Sequence, residues 1–143
     1  MISVSEGTEN IGHNHGYDVI VGSTPSKPHL FTSYTDHPRV LVDLGNGLKS
    51  TAAGRYQILA RYYDAYKKQL GLPDFSPDSQ DKIAIQLIKE CNALGSIEEG
   101  HINQALMMCA SRWASLPSNH DGQHTQSVAF EDAAYIKAGG KMA

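Results

Sequence analysis

Apolar residues recur at helical spacing through most of the chain beyond residue 50. Ala52, Tyr56, Leu59, Tyr63, Tyr66 and Leu70 fall three or four apart, the spacing that lets one helix face be buried. Ser50 and Thr51 stand just before them, and either hydroxyl could accept a bond from an otherwise orphaned helix N–H. The pattern predicts a capped helix from Ala52, with Gly54 and Gln57 one turn apart near its start. Ser76-Pro77 predicts a second start, followed by Ile83, Ala84, Leu87, Ile88, Cys91 and Leu94. Ser96-Ile97-Glu98-Glu99 reads as a capping box for a helix carrying Ile102, Ala105, Leu106, Cys109, Ala110 and Trp113, stopped by Pro117. Ser118 to His124 reads as a polar loop, and Thr125 to Ala138 as a last helix ended by Gly139-Gly140.

The first fifty residues follow another rhythm. Gly7 would end the short segment Met1–Ser5, which places Glu6 at a junction between a helix end and a sheet. Tyr17 to Val21 alternates as a strand, Gly22 to Pro28 has turn composition, and Leu30 to Thr35 reads as the return strand of a hairpin. Arg39 to Leu44 predicts a third short strand, and Gly45-Asn46-Gly47 a turn before the central helix. A small hairpin followed by helices is an α+β pattern.

Composition narrows the class. With 143 residues, 41% of them hydrophobic, a single domain with a real core is expected, spanning residues 1–143. The formal net charge of -3 gives no basic footprint for nucleic acid, so no nucleic-acid partner is expected. No apolar run nears the roughly 20 residues of a membrane helix, so no membrane insertion is expected. Met1 to Asn10 has neither a basic nor an apolar stretch, so no signal peptide is expected. The spacing of Cys91 and Cys109 fits no metal or redox motif, and both read as buried reduced thiols on helix faces.

Several segments then coincide, in order, with one known family. They are Ser5-Glu6-Gly7-Thr8-Glu9-Asn10, Asn14-His15-Gly16-Tyr17-Asp18-Val19-Ile20-Val21-Gly22, Leu30-Phe31-Thr32, Asp36-His37-Pro38-Arg39, Ser50-Thr51-Ala52-Ala53-Gly54-Arg55-Tyr56-Gln57, Asp74-Phe75-Ser76-Pro77 and Trp113-Ala114-Ser115-Leu116-Pro117. The chain resembles the lambdoid phage endolysins, a family of peptidoglycan lytic transglycosylases. The resemblance covers nearly the whole sequence. It implies a lysozyme-like α+β fold, with a small β-hairpin lobe packed on a mainly helical lobe and a cleft between. Five residues precede Glu6 where the family has a full helix, so the N-terminal helix is expected to be truncated.

The resemblance also implies a chemistry. It puts the catalytic glutamate at Glu6, acting as acid and then as base. Glu6 would protonate the bond between N-acetylmuramic acid and N-acetylglucosamine, then take the muramyl C6 hydroxyl proton as a 1,6-anhydro ring closes. A carboxyl can supply that proton when burial raises its pKa. Tyr17, Asp18, Ser50, Thr51, Tyr56 and Gln57 are the candidate glycan-binding residues, since sugars stack on aromatics and need a few placed polar partners. For Tyr17 and Tyr56 packing is an equal reading, and Arg55 reads as a solvated or structural charge. No metal or cofactor is implied. The family implies a monomer made in the bacterial cytoplasm and released to the wall through a holin pore.

Three alternatives stand beside this. A hydrolytic muramidase would need a second carboxylate, from Glu9, Asp18 or Asp36. A zinc amidase would draw ligands from the seven histidines, beginning with His13 and His15, although no HExxH motif accompanies them. A glycan-binding remnant would keep the groove without a firmly held Glu6.

Overall fold

Gly7 stops the first helix as its type requires. It takes φ +74, a left-handed conformation that glycine adopts without penalty, just after α1 (Ile2–Ser5), and Glu6 becomes the helix C-cap. The computed structural model describes residues 1–117 and 126–143. The loop expected at Ser118–His124 and the helix start expected at Thr125 lie outside the described residues. The chain separates into two compact units, one made of Met1–Glu6 with Ala84–Ala143, the other of Gly7–Ile83.

In the Gly7–Ile83 unit the expected early hairpin shrinks to isolated bridges. Val19 pairs with Leu30, and Ile20 with Ala53. The segment is held from both sides: Ile20 N–H donates to His29 O at 2.8 Å, whereas Val21 N–H donates to Ala52 O at 3.0 Å and Gly54 N–H to Val19 O at 2.7 Å. Bonds shared between two neighbours leave no long two-stranded ladder. The regular ladder comes later, between β1 (Val42–Gly45) and antiparallel β2 (Leu48–Ser50). Gly45, Asn46 and Gly47, all with positive φ, turn the chain between these strands and do not lead into a helix.

The central helix expected from Ala52 is a correction. α2 spans Ala60–Leu70, and residues 52–59 form a looped turn. Ala53 and Ile58 bond each other's backbone at 3.1 and 2.9 Å, and Gly54 and Gln57 take φ +81 and +51. Those bonds and dihedrals exclude an α-helix there. Ser50 belongs to β2, and its Oγ accepts from Ala52 N–H at 3.1 Å. Thr51 does cap a helix, but over a distance: its Oγ1 accepts from Ala60 N–H, the first residue of α2, at 3.1 Å. The burial forecast holds in part: Ala52, Tyr63 and Tyr66 are buried, whereas Tyr56, Leu59 and Leu70 are half-buried. α3 (Pro77–Glu90) starts where Ser76-Pro77 predicts.

In the other unit, α4 spans Leu94–Glu98 and α5 spans Ile102–Cys109. Ser96 therefore lies inside α4 and opens no capping box. Its carbonyl accepts from His101 N–H at 2.7 Å, which closes α4, and Gly100 at φ +79 turns the chain into α5. α5 buries Ile102, Ala105, Leu106 and Cys109 and ends before Trp113, which is buried in the following turns. α6 (Val128–Lys137) is capped by Ser127, whose Oγ accepts from Phe130 N–H at 3.1 Å, and Gly139 follows it at φ +94. Both cysteines are free thiols, but only Cys109 is buried; Cys91, expected to be buried, is half-buried. Burial pushes the Cys109 thiol up to about 12, with Cys91 beside it adding to the shift.

Candidate active site

Glu6 owes its position to the end of α1. Its backbone N–H still donates to Ile2 O, so the side chain leaves a fixed turn just before the chain swings left-handed at Gly7. Its Oε1 accepts a 2.6 Å bond from Ser115 Oγ, and Ser115 Oγ accepts from Ser5 Oγ at 3.0 Å. Burial raises the Glu6 pKa, the Ser115 bond opposes that rise, and the carboxyl of Glu131 on α6 adds to it. Glu131 is itself 0% exposed, and burial raises its pKa as well. A half-buried carboxyl that resists ionisation is what a general acid requires.

A separate network fills the Gly7–Ile83 unit. Tyr17 and Tyr56 both donate to Asp81 Oδ1, at 2.8 and 2.7 Å, with their rings edge to face at 6.4 Å. Burial and the Asp81 carboxylate push both phenols up, so they remain donors. Gln80, 0% exposed, ties the surrounding backbone together. Its Nε2 donates to Tyr17 O and Phe75 O, and its Oε1 accepts from Arg55 N–H at 3.0 Å. Gly54 is required here, because a Cβ at its φ of +81 would collide with the Gln80 amide. Arg55 is a structural charge: it pairs with Glu9, donates to His15 O and lies 5.1 Å over the Tyr17 ring.

The candidate glycan-binding residues thus divide by local role. Tyr17 and Tyr56 are brought together on Asp81. Gln57 Nε2 folds back onto Gly54 O at 2.9 Å. Ser50 and Thr51 hold backbone N–H groups. Asp18 Oδ1 is buried and lacks a hydrogen-bond partner among the described residues. Of the other carboxylates considered, Glu9 is paired with Arg55 and Asp36 with Arg39 at 2.9 Å. His37 is buried, donating from Nε2 to Ile58 O at 2.8 Å while Nδ1 accepts from Arg39 N–H at 3.0 Å. Among the described residues no three His, Cys, Asp or Glu side chains converge as a metal-holding group.

Sequence reasoning passed over Ser115, Glu131, Gln80 and Asp81. Gln80 did leave a signal, as a polar residue on the same α3 face as the buried Ile83, Ala84 and Leu87. Ser115 left only its place inside Trp113-Ala114-Ser115-Leu116-Pro117.

Comparison with known proteins gives a consistent picture. The Endolysin family profile matches residues 1–142. The endolysin of Escherichia phage lambda is 53% identical over 145 residues, covering 99% of this chain and 89% of the relative. The endolysin of Escherichia phage P2 is 48% identical over 147 residues, covering 98% and 89%. The solved lysozyme of bacteriophage lambda complexed with a chitohexasaccharide superposes with a TM-score of 0.92 at 51% identity, over 99% of this chain and 91% of that one. A further lambda lysozyme structure gives 0.90 at 50% identity, with the same coverage. The fold is the α+β fold of lambda lysozyme, and the chain belongs to the Endolysin family, the lambda-type lysozymes of phage cell-wall lysis.

Proposed function

We propose that the chain cleaves the bond between N-acetylmuramic acid and N-acetylglucosamine in peptidoglycan by intramolecular transglycosylation, with Glu6 as its single acid and base. The observation that carries this reading is the half-buried Glu6 carboxyl at the end of α1, its acidity weakened by burial, with Ser115 on one oxygen. Protonated Glu6 gives its proton to the glycosidic oxygen, and the bond to the muramyl C1 breaks with oxocarbenium character. The Glu6 carboxylate then removes the C6 hydroxyl proton while that oxygen bonds to C1. The anhydro ring closes, Glu6 is again protonated, and no water is consumed. Tyr17, Asp18, Ser50, Thr51, Tyr56 and Gln57 contact the glycan. The chitohexasaccharide held by the lambda lysozyme supports a glycan-chain ligand. The protein works as a monomer and reaches the wall through a holin pore. No helix among the described residues is long and apolar enough to cross a membrane.

The test is Glu6→Gln, which keeps the shape of the side chain and removes its titrating proton. Lysis of purified sacculi falls by at least about a thousandfold, within the range that acid–base groups contribute, and the circular dichroism spectrum stays unchanged. A folded Glu6→Gln protein that still lyses overturns the assignment.

The hydrolytic muramidase is the second reading, and a specific observation favours one residue for it. Asp18, alone among the three carboxylates considered, has a buried oxygen lacking a hydrogen-bond partner among the described residues.

A further inference from the structure

The two oxygens of Glu6 are not equivalent. Oε1 accepts from Ser115 at 2.6 Å, a short bond of the kind made to a carboxylate oxygen. Ser115 has one hydroxyl proton, and the direction in which it points decides what it does for Glu6. That direction is set by Ser5, which is buried and donates to Ser115 Oγ at 3.0 Å, with the Glu131 carboxyl as the competing acceptor for the same proton. With its lone pair engaged by Ser5, Ser115 turns its proton to Glu6. Ser5 is the last residue of α1 and Glu6 the cap that follows, so the orienting group and the acid share one turn.

We infer that Ser115, oriented by Ser5, is a positioning residue that reserves Glu6 Oε1 as a hydrogen-bond acceptor and leaves Oε2 to carry the transferred proton. This inference rests on the reading of Glu6 as the acid. A carboxylic acid protonates a leaving oxygen with one particular O–H, so an acid whose proton can sit on either oxygen is misaligned in part of its population. Fixing the proton on Oε2 removes the misaligned form. The same bond moderates the acidity, because a donor to the carboxylate favours its charged form and works against burial. Among the described residues, the carboxyl of Glu131 on α6 also acts on Glu6 and raises its pKa. Ser115 is thus the interaction that lets a buried Glu6 release its proton and later take one back.

The test compares Ser115→Ala, Ser115→Thr and Glu6→Gln with the unaltered chain on purified sacculi, reading kcat, KM and the pH profile, with thermal melts alongside. Ser115→Ala lowers kcat about tenfold, equivalent to about 1.4 kcal/mol, and leaves KM within about twofold. Its alkaline limb moves to higher pH, because the interaction that lowers the Glu6 pKa is gone. Ser115→Thr keeps a hydroxyl and restores both. The Glu6 carboxyl ¹³C shift, titrated in wild type and Ser115→Ala, gives the same comparison without relying on turnover. A midpoint that rises on losing the hydroxyl supports the inference.

A folded Ser115→Ala protein with unchanged kcat, pH limb and midpoint overturns it, provided Glu6→Gln is dead. If Glu6→Gln is active, the acid assignment itself fails. If Ser115→Ala does not fold, Ser115→Thr decides: an unshifted midpoint with full kcat upholds the role of the hydroxyl, and a shifted one contradicts it.

Discussion

Gln80 shows how much one buried side chain can carry. Its amide meets Tyr17 O, Phe75 O and Arg55 N–H, and its presence requires Gly54 to lack a Cβ. Truncation would leave a buried backbone donor and two acceptors without this partner, each costing about 1–3 kcal/mol. Gln80→Ala is therefore expected to lower stability by roughly 3 kcal/mol, and Gly54→Ala by a comparable amount, both measured by urea unfolding. Loss of less than about 1 kcal/mol in both would remove Gln80 from this role. His37 makes a pH prediction at the same scale. Burial lowers its pKa in the folded protein, aided by the positive charge of Arg39. The native state therefore resists a proton that the unfolded chain accepts below about pH 6.5. The stability contributed by neutral His37 is full above that value and lost as pH falls through it. His37→Gln should flatten the stability change between pH 7.5 and 5.5, and an unchanged slope would contradict this.

At the scale of elements, Thr51 links a loop to a helix. It caps α2 at Ala60 N–H from nine residues upstream, so Thr51→Ala is expected to cost about 1 kcal/mol in stability, as the loss of a helix cap does. A stability change below a few tenths of a kcal/mol would show that the cap is idle. The same stretch explains what was legible in the sequence and what was not. Thr51 caps a helix as its type suggests, but α2 and not one opening at Ala52, and Ser50 caps none; of the expected face, Ala52, Tyr63 and Tyr66 are buried. The element itself was not legible, because helical periodicity cannot register that Ala53 would bond Ile58 or that Gly54 would bond Val19. The Gly54–Val19 bond is a tertiary contact, and such contacts also reduced the Tyr17–Val21 hairpin to bridges, whereas Ala53–Ile58 closes a local turn that helical spacing overlooks. Local signals succeeded where the chain acts locally: Ser76-Pro77 opens α3, Gly7 ends α1 and Gly139 follows α6. Ser96 failed because Gly100 placed the helix break four residues later than its cap chemistry suggested.

At the scale of the whole molecule, the ordered segments identified the family and so pointed to Glu6, which no periodicity singled out. Ser115 stands 109 positions from Glu6 in the chain, and Glu131 on α6 acts on the same carboxyl. The surroundings of the Glu6 carboxyl were therefore illegible, since nothing in local spacing joins residues so far apart. Net charge, composition and two free thiols fit many soluble enzymes and discriminate none of them. The outcome of the reaction does discriminate. The most direct test of the account is mass spectrometry of the sugar fragments released when the purified protein digests bacterial sacculi. Intramolecular attack by the C6 hydroxyl predicts muramyl ends one water lighter than reducing ends. Ordinary reducing ends would contradict it and send the search for a second carboxylate to Asp18.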